Sequence, residues 1–179
     1  MIEAVIFDLD GTLINLPVNY GKLVEEIEKI TKTEYVGPLT AAVSKLDEKT
    51  KREVFKVWDE AELEALGKMT INAKGMAIYR RFSEKPKALV TMQGKALVKA
   101  VFERLKMPFN MILTRENSLD RVEQLRHTIQ SFRTPAEKIL FIGNTKGDLQ
   151  AARKAECQFR NVQQRPSAAK STKNSRQNS

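Results

Sequence analysis

The sequence predicts an α/β fold, a parallel sheet whose strands alternate with amphipathic helices, with a helical insertion after the first strand. Two observations carry this reading. Four short apolar runs each end in small polar residues, and the last three are each followed by a stretch of helical period. Between the first run and the second lie some 70 residues of helical spacing with little strand character.

The first run, Glu3-Ala4-Val5-Ile6-Phe7, ends in Asp8-Leu9-Asp10-Gly11-Thr12, which reads as a buried strand leaving the core into a polar turn. The insertion, residues 15–85, carries one apolar stripe at Leu23, Ile27 and Ile30 and another at Val54, Val57, Trp58 and Ala61. Glu48, Lys51, Arg52 and Glu53 mark a solvated face, and Gly37-Pro38 and Gly67 mark breaks between helices. Trp58 reads as a packing residue. Ala88-Leu89-Val90 then precedes Thr91, and Leu97, Ala100, Val101 and Leu105 share one face of the helix that follows. Met111-Ile112-Leu113 precedes Thr114 and a helix with Val122, Leu125, Ile129 and Phe132 on one side. Ile139-Leu140-Phe141-Ile142 runs into Gly143-Asn144, and a last helix starts near Asp148. Parallel strands need crossover helices on both faces, and ligands bind beyond the carboxyl ends of the strands. The polar residues that end the four runs would all gather there.

Composition narrows the function classes. A chain of 179 residues with 41% hydrophobic content forms one compact unit with a core. No stretch reaches the roughly 18 consecutive apolar residues of a spanning helix. Met1-Ile2-Glu3-Ala4 lacks the basic-then-apolar order of a secretory signal, so a cytoplasmic location with no membrane partner is expected. Cys157 and His127 are the only residues of their types, which excludes an intramolecular disulfide and a Cys/His zinc site. Any metal must be held by oxygen.

The formal charge of +9 is unevenly spread. Residues 15–85 are nearly neutral and residues 86–162 carry +7, including Arg115, Arg121 and Lys146 near strand ends. Residues 163–179 carry +4 with almost no large apolar side chain, which predicts a disordered basic tail. Neither an aromatic-rich strand nor a helix-turn-helix pattern is evident, so nucleic acid is expected at most as a weak partner of that tail.

Asp8 and Asp10 would share a face if the strand continued through them. Paired carboxylates repel unless a cation neutralises them or one keeps a proton. Magnesium prefers carboxylate and carbonyl oxygens and bridges to phosphate. One carboxylate can then attack phosphorus while the other moves protons.

Phe7-Asp8-Leu9-Asp10-Gly11-Thr12-Leu13 resembles the first motif of the haloacid dehalogenase-like hydrolases, and Thr91 falls where the second motif places Ser or Thr. Gly143-Asn144-Thr145-Lys146-Gly147-Asp148 resembles the fourth. The resemblance spans residues 1–160. It implies a Rossmann-like core made of residues 1–14 and 86–162, with residues 15–85 similar to an all-helical C1-type cap. It further implies that Asp8 is a nucleophile that becomes phospho-aspartate. Asp10 would be the general acid/base that also offers its carbonyl to magnesium, and Thr91 would bind the phosphoryl group. A carboxylate at position 10 favours the phosphatase branch over the dehalogenases.

Two positions depart from the pattern. The third motif's basic residue usually precedes Pro, and no such dipeptide lies between Thr114 and Asn144. Arg121 is the nearest positional match, Arg115 the second and Lys95 the third. The fourth motif normally opens Gly-Asp, whereas this chain has Gly143-Asn144. Asn144 offers magnesium an oxygen without charge, and Asp148 is expected to compensate directly or through a water. The expected metal set is therefore Asp8, Asp10, Asn144 and Asp148. The expected function is a magnesium-dependent phosphatase acting on a small phosphorylated metabolite, like the phosphoglycolate phosphatase-like members. The alternatives are a non-catalytic phosphate-binding or interaction protein and a phosphomutase.

Overall fold

A computed structural model describes residues 1–163. In chain order the first half runs β1 (Ala4–Phe7), β2 (Ile14–Asn15), α1 (Tyr20–Thr31), α2 (Leu39–Val43), α3 (Glu48–Ala65), β3 (Thr70–Ile71) and α4 (Ala73–Arg81). The second half runs β4 (Lys87–Val90), α5 (Lys95–Leu105), β5 (Met111–Leu113), α6 (Arg121–Phe132), β6 (Ile139–Gly143), α7 (Lys146–Lys154) and β7 (Gln158–Asn161).

The expected parallel sheet is present, with five strands in the order β5-β4-β1-β6-β7. Strand β1 is central, with Phe7 paired to Leu89 of β4 on one side and to Ile142 of β6 on the other. It has no polar residue because both of its faces are covered. The chain steps outward from β1 through β4 to β5, then returns to the other side of β1 for β6. Strand order therefore reverses beside β1, and in open α/β sheets the crevice beyond that point is the ligand site.

Alternate residues of β1 feed two separate cores. Val5 and Phe7 join Leu89, Leu97, Val101 and Ile78. Ala4 and Ile6 join Val90, Leu125, Phe141 and Ala152 on the opposite face. A third core of Leu23, Ile27, Val43, Val54 and Trp58 belongs to α1, α2 and α3 alone. Trp58 is buried there, as a packing residue should be.

The inserted segment differs from expectation in two respects. It contains the antiparallel pair β2–β3, with Ile14 opposite Ile71 and Asn15 opposite Thr70. Its last helix, α4, lies on the sheet: Ile78, Met76, Tyr79 and Phe82 pack with β1 and α5. As the crossover into β4, α4 has to cover the sheet face, so the separate helical layer ends before residue 70 and not at 85. Strand β7 was not foreseen from the sequence. It is a polar edge strand, Gln158-Phe159-Arg160-Asn161, in which Phe159 packs edge-on against Phe141 at 5.9 Å.

Among the described residues, no helix is long and apolar enough to cross a membrane. The basic tail expected from residue 163 lies outside the described residues except for Gln163, which accepts a hydrogen bond from Lys74.

Candidate active site

The site grows from the turn that follows β1. Asp8 still belongs to the sheet, donating its amide to Ile142 at 3.0 Å. The carbonyl of Leu9 then accepts from the amides of Leu13 and Ile14, which reverses the chain within a few residues. Leu9 and Leu13 are fully buried and anchor the turn to the core. Gly11 stands at φ +75°, and a Cβ there would collide with the side-chain amide of Asn144. The first and fourth motifs are thus in contact through a glycine that neither strain nor space would let another residue replace.

Arg121, the first residue of α6, closes the site from the other side. Asp120 caps that helix by accepting from the amides of Val122 and Glu123. The Arg121 guanidinium donates to Asp8 at 3.0 Å through Nη2 and to the carbonyl of Val90 at 2.6 Å through Nη1. Its Nε lies 3.6 Å from Asp148. The basic residue ranked first from the sequence therefore meets the nucleophile candidate, the end of β4 and the fourth motif together.

Asp148 has a structural part that the sequence reading did not include. With Thr145 it forms a capping box on α7, its Oδ2 accepting from the amides of Asn144 and Thr145 and from the Thr145 hydroxyl. Its other oxygen faces Arg121. Both oxygens are engaged, and Asp148 orients Asn144 and Arg121. Lys146 is exposed on the first turn of α7.

Arg115 is also corrected. It is a buried side chain bound to Asp59 and Glu62 of α3, so its charge is consumed there and it is not a phosphate ligand at Asp8.

Thr91 ends β4, its amide donating to Leu113, and its hydroxyl is hydrogen-bonded to Gln93. Sequence reasoning missed Gln124. Its buried side-chain amide donates to the carbonyls of Thr91, Thr114 and Ser118 at 3.0–3.1 Å, pinning the loops after β4 and β5 to α6. The signal was present as a glutamine beside Leu125 on the inward face of that helix.

Charge burial sets the electrostatics. Desolvation pushes Asp8 up to about 7, with Arg121 opposing and the charges of Asp148 and Asp10 adding to the rise. Asp10 is also raised by burial, while the amides of Leu16 and Gly11 stabilise its charged form. Leu16 donates to Asp10 Oδ1 at 2.7 Å. Asp8 is therefore a buried carboxylate that a single guanidinium does not neutralise fully.

Hard oxygens are available to a cation from Asp8, Asp10 and the Asn144 amide. Among the described residues no group of three or more Asp, Glu, His or Cys is placed to hold a metal, which follows from Asn at position 144 and the engagement of Asp148. The donor chemistry fits a magnesium ion, with one protein charge fewer than a set of three carboxylates.

Above Arg121 lies a cleft of about 560 Å³ between α2 and the core. Thr40, Ser44, Ser118 and Thr145 bring hydroxyls to it, and Asp120 and Glu123 bring carboxylates. A hollow of about 580 Å³ between α1 and α3 contains none of the site residues.

Solved structures share this fold. A haloacid dehalogenase-like family hydrolase from Streptococcus pneumoniae superposes with a TM-score of 0.64 at 17% identity, over 88% of this chain and 83% of that one. The chain has the haloacid dehalogenase-like fold. A predicted phosphatase from Clostridium acetobutylicum shares this fold with a TM-score of 0.66 at 18% identity, covering 89% of this chain and 83% of that one. CbbY from Rhodobacter sphaeroides, solved with phosphate, does so with a TM-score of 0.66 at 13% identity, over 90% and 86% of the two chains. No family model and no curated protein matches the chain by sequence.

Proposed function

We propose that the protein is a magnesium-dependent phosphatase of small phosphomonoesters. The observation that carries this reading is Arg121 bound at once to Asp8, Val90 and Asp148. It joins the ends of β1 and β4 and the start of α7 around one buried carboxylate. The haloacid dehalogenase-like fold supports the reading, since a predicted phosphatase and a phosphate complex both occur among the similar structures.

In this mechanism Asp8 attacks phosphorus, forming a carboxylate–phosphorus bond as the bond to the leaving oxygen breaks. Asp10, whose carboxyl burial raises above its ordinary value, gives a proton to that oxygen. Asp10 then takes a proton from water, which attacks phosphorus and releases phosphate and free Asp8. Arg121 keeps Asp8 in place and helps to ionise it, while Thr91 and the nearby loop amides would receive the phosphoryl oxygens. Asp8, the Asp10 carbonyl and Asn144 would hold magnesium, which supplies positive charge for the phosphoryl oxygens when bound.

The cleft also bears on the leaving group. Among the described residues its one basic lining residue, Arg121, is already engaged with carboxylates, and its other polar side chains are hydroxyls, Asp120, Glu123 and Asp148. Such a lining favours a hydroxylated, uncharged leaving group over one with a second anion.

The test is phosphate release from sugar, polyol and carboxylate-bearing phosphomonoesters, with and without magnesium. Turnover is expected with magnesium, greatest on the uncharged leaving groups. No turnover above the Asp8→Asn control on any ester would overturn the phosphatase reading and favour a non-catalytic phosphate binder.

A further inference from the structure

Arg115 belongs to the sheet domain, yet its side chain is fully buried against the helical layer. Its Nη1 donates to Glu62 at 2.7 Å and to the carbonyl of Met92 at 3.3 Å, and its Nη2 meets Asp59. Asp59 and Glu62 are three residues apart on α3, which places both carboxylates on one face of that helix. The guanidinium also lies 4.7 Å from the ring centre of Trp58 and 5.5 Å from that of Phe55.

Adhesion alone does not require this arrangement. Apolar residues of similar volume usually hold two elements together as well as a buried ion pair does, because desolvation offsets much of the attraction. Two carboxylates facing one guanidinium are costlier still, and burial raises both of them above their ordinary values. What the charged cluster adds is direction. The second oxygen of Glu62 accepts the Gly94 amide at 3.0 Å, and the Arg115 amide donates to the carbonyl of Gln93 at 3.3 Å. The Met92 carbonyl is held as well, so every residue from 92 to 94 has a backbone group fixed by Arg115 or Glu62. A Cβ on Gly94 would collide with Asp59 and Arg115, so the loop fits closely against the pair. Gln93 passes the constraint on, since its side chain and its amide both bond the Thr91 hydroxyl.

We infer that Arg115 is a positioning residue, clamped by Asp59 and Glu62 of α3, that couples the seating of the helical layer to the loop orienting Thr91. The inference rests on the phosphatase reading only for its kinetic readout. When α3 sits against the core, the clamp fixes residues 92–94 and through Gln93 the Thr91 hydroxyl. When α3 withdraws, the same groups are released together, so phosphate would be gripped only beneath a closed helical layer.

The experiment compares Arg115→Met and Glu62→Gln with the natural protein by amide hydrogen exchange and by calorimetry with inorganic phosphate plus magnesium. Arg115→Met keeps the apolar length and removes the fork. Glu62→Gln keeps the shape but must turn an NH2 group toward either Arg115 or the Gly94 amide. Both variants should speed exchange in residues 92–94 at least tenfold while β1 and β6 remain protected. Phosphate affinity should fall about tenfold, with kcat falling more than KM rises. Unchanged exchange in residues 92–94, or unchanged phosphate affinity, would overturn the coupling and leave Arg115 a fastener of α3. If Arg115→Met does not fold, Glu62→Gln carries the same test. A natural protein with no turnover would overturn the phosphatase reading, while exchange would still decide the clamp.

Discussion

Replacing Asp8 by Asn should make the protein more stable while abolishing phosphate release. A carboxyl whose folded pKa lies above its unfolded value keeps its proton longer in the folded chain. Its presence costs nothing below the unfolded pKa, and stability declines as pH rises toward the folded one. For Asp8 the window runs from the ordinary 3.8 to about 7. At about 1.4 kcal/mol per pH unit this amounts to roughly 4 kcal/mol at pH 8 in the absence of a cation. Relaxation around the buried carboxylate, and the side-chain amide that Asn turns toward Arg121, reduce the expected gain to about 2 kcal/mol. For a chain of this size that is a rise in Tm of about 4–8 °C. The assay is thermal unfolding of both proteins in a chelator at pH 8 and at pH 4. The gain should be present at pH 8 and nearly absent at pH 4, where the natural carboxyl is already protonated. Magnesium should close the gap at pH 8 by stabilising the natural protein alone. An Asn variant that melts lower at pH 8, or gains as much at pH 4, would refute the reasoning.

Asn144→Asp should raise magnesium affinity at least tenfold by calorimetry and lower the magnesium needed for turnover, at the cost of a lower Tm in chelator, where three carboxylates then repel. Gly75→Ala should destabilise by about 2 kcal/mol or more in denaturant unfolding, because the new methyl group falls on the Thr12 carbonyl oxygen and backbone cannot yield there. Its phosphate release should fall as well, since Thr12 belongs to the turn that carries Asp10.

Much of the fold was legible because its strands are short apolar runs with polar ends, and because α5, α6 and α7 each bury one face. Strand β7 was hidden by its composition. At the edge of the sheet, Gln158 and Arg160 keep contact with solvent, so no alternation marks it. The pair β2–β3 was hidden by its length, two residues on each side. Asp8, Asp10 and Arg121 were legible as residues that end or follow strands, a local property. The fate of Arg115 was not, because Asp59 and Glu62, more than fifty residues earlier, decide it. The capping box at Asp148 was not foreseen for a similar reason: its spacing suits both a ligand and a helix cap, and the Thr145 hydroxyl and two backbone amides that complete the cap lie in its three-dimensional setting.

The β2–β3 ribbon has a mechanical meaning. Both crossings between the sheet and the helical layer pass through it, laced side by side, so the layer is joined to the sheet by two paired strands and not by a single tether. The ribbon is fixed to the turn after β1, where Asn72 donates its amide to Leu13 at 2.9 Å and its side chain to Gly11 at 3.2 Å. Leu16, one residue beyond the ribbon, donates to Asp10. The Asp10 carboxylate is therefore tied directly to the paired strands that join the helical layer to the sheet.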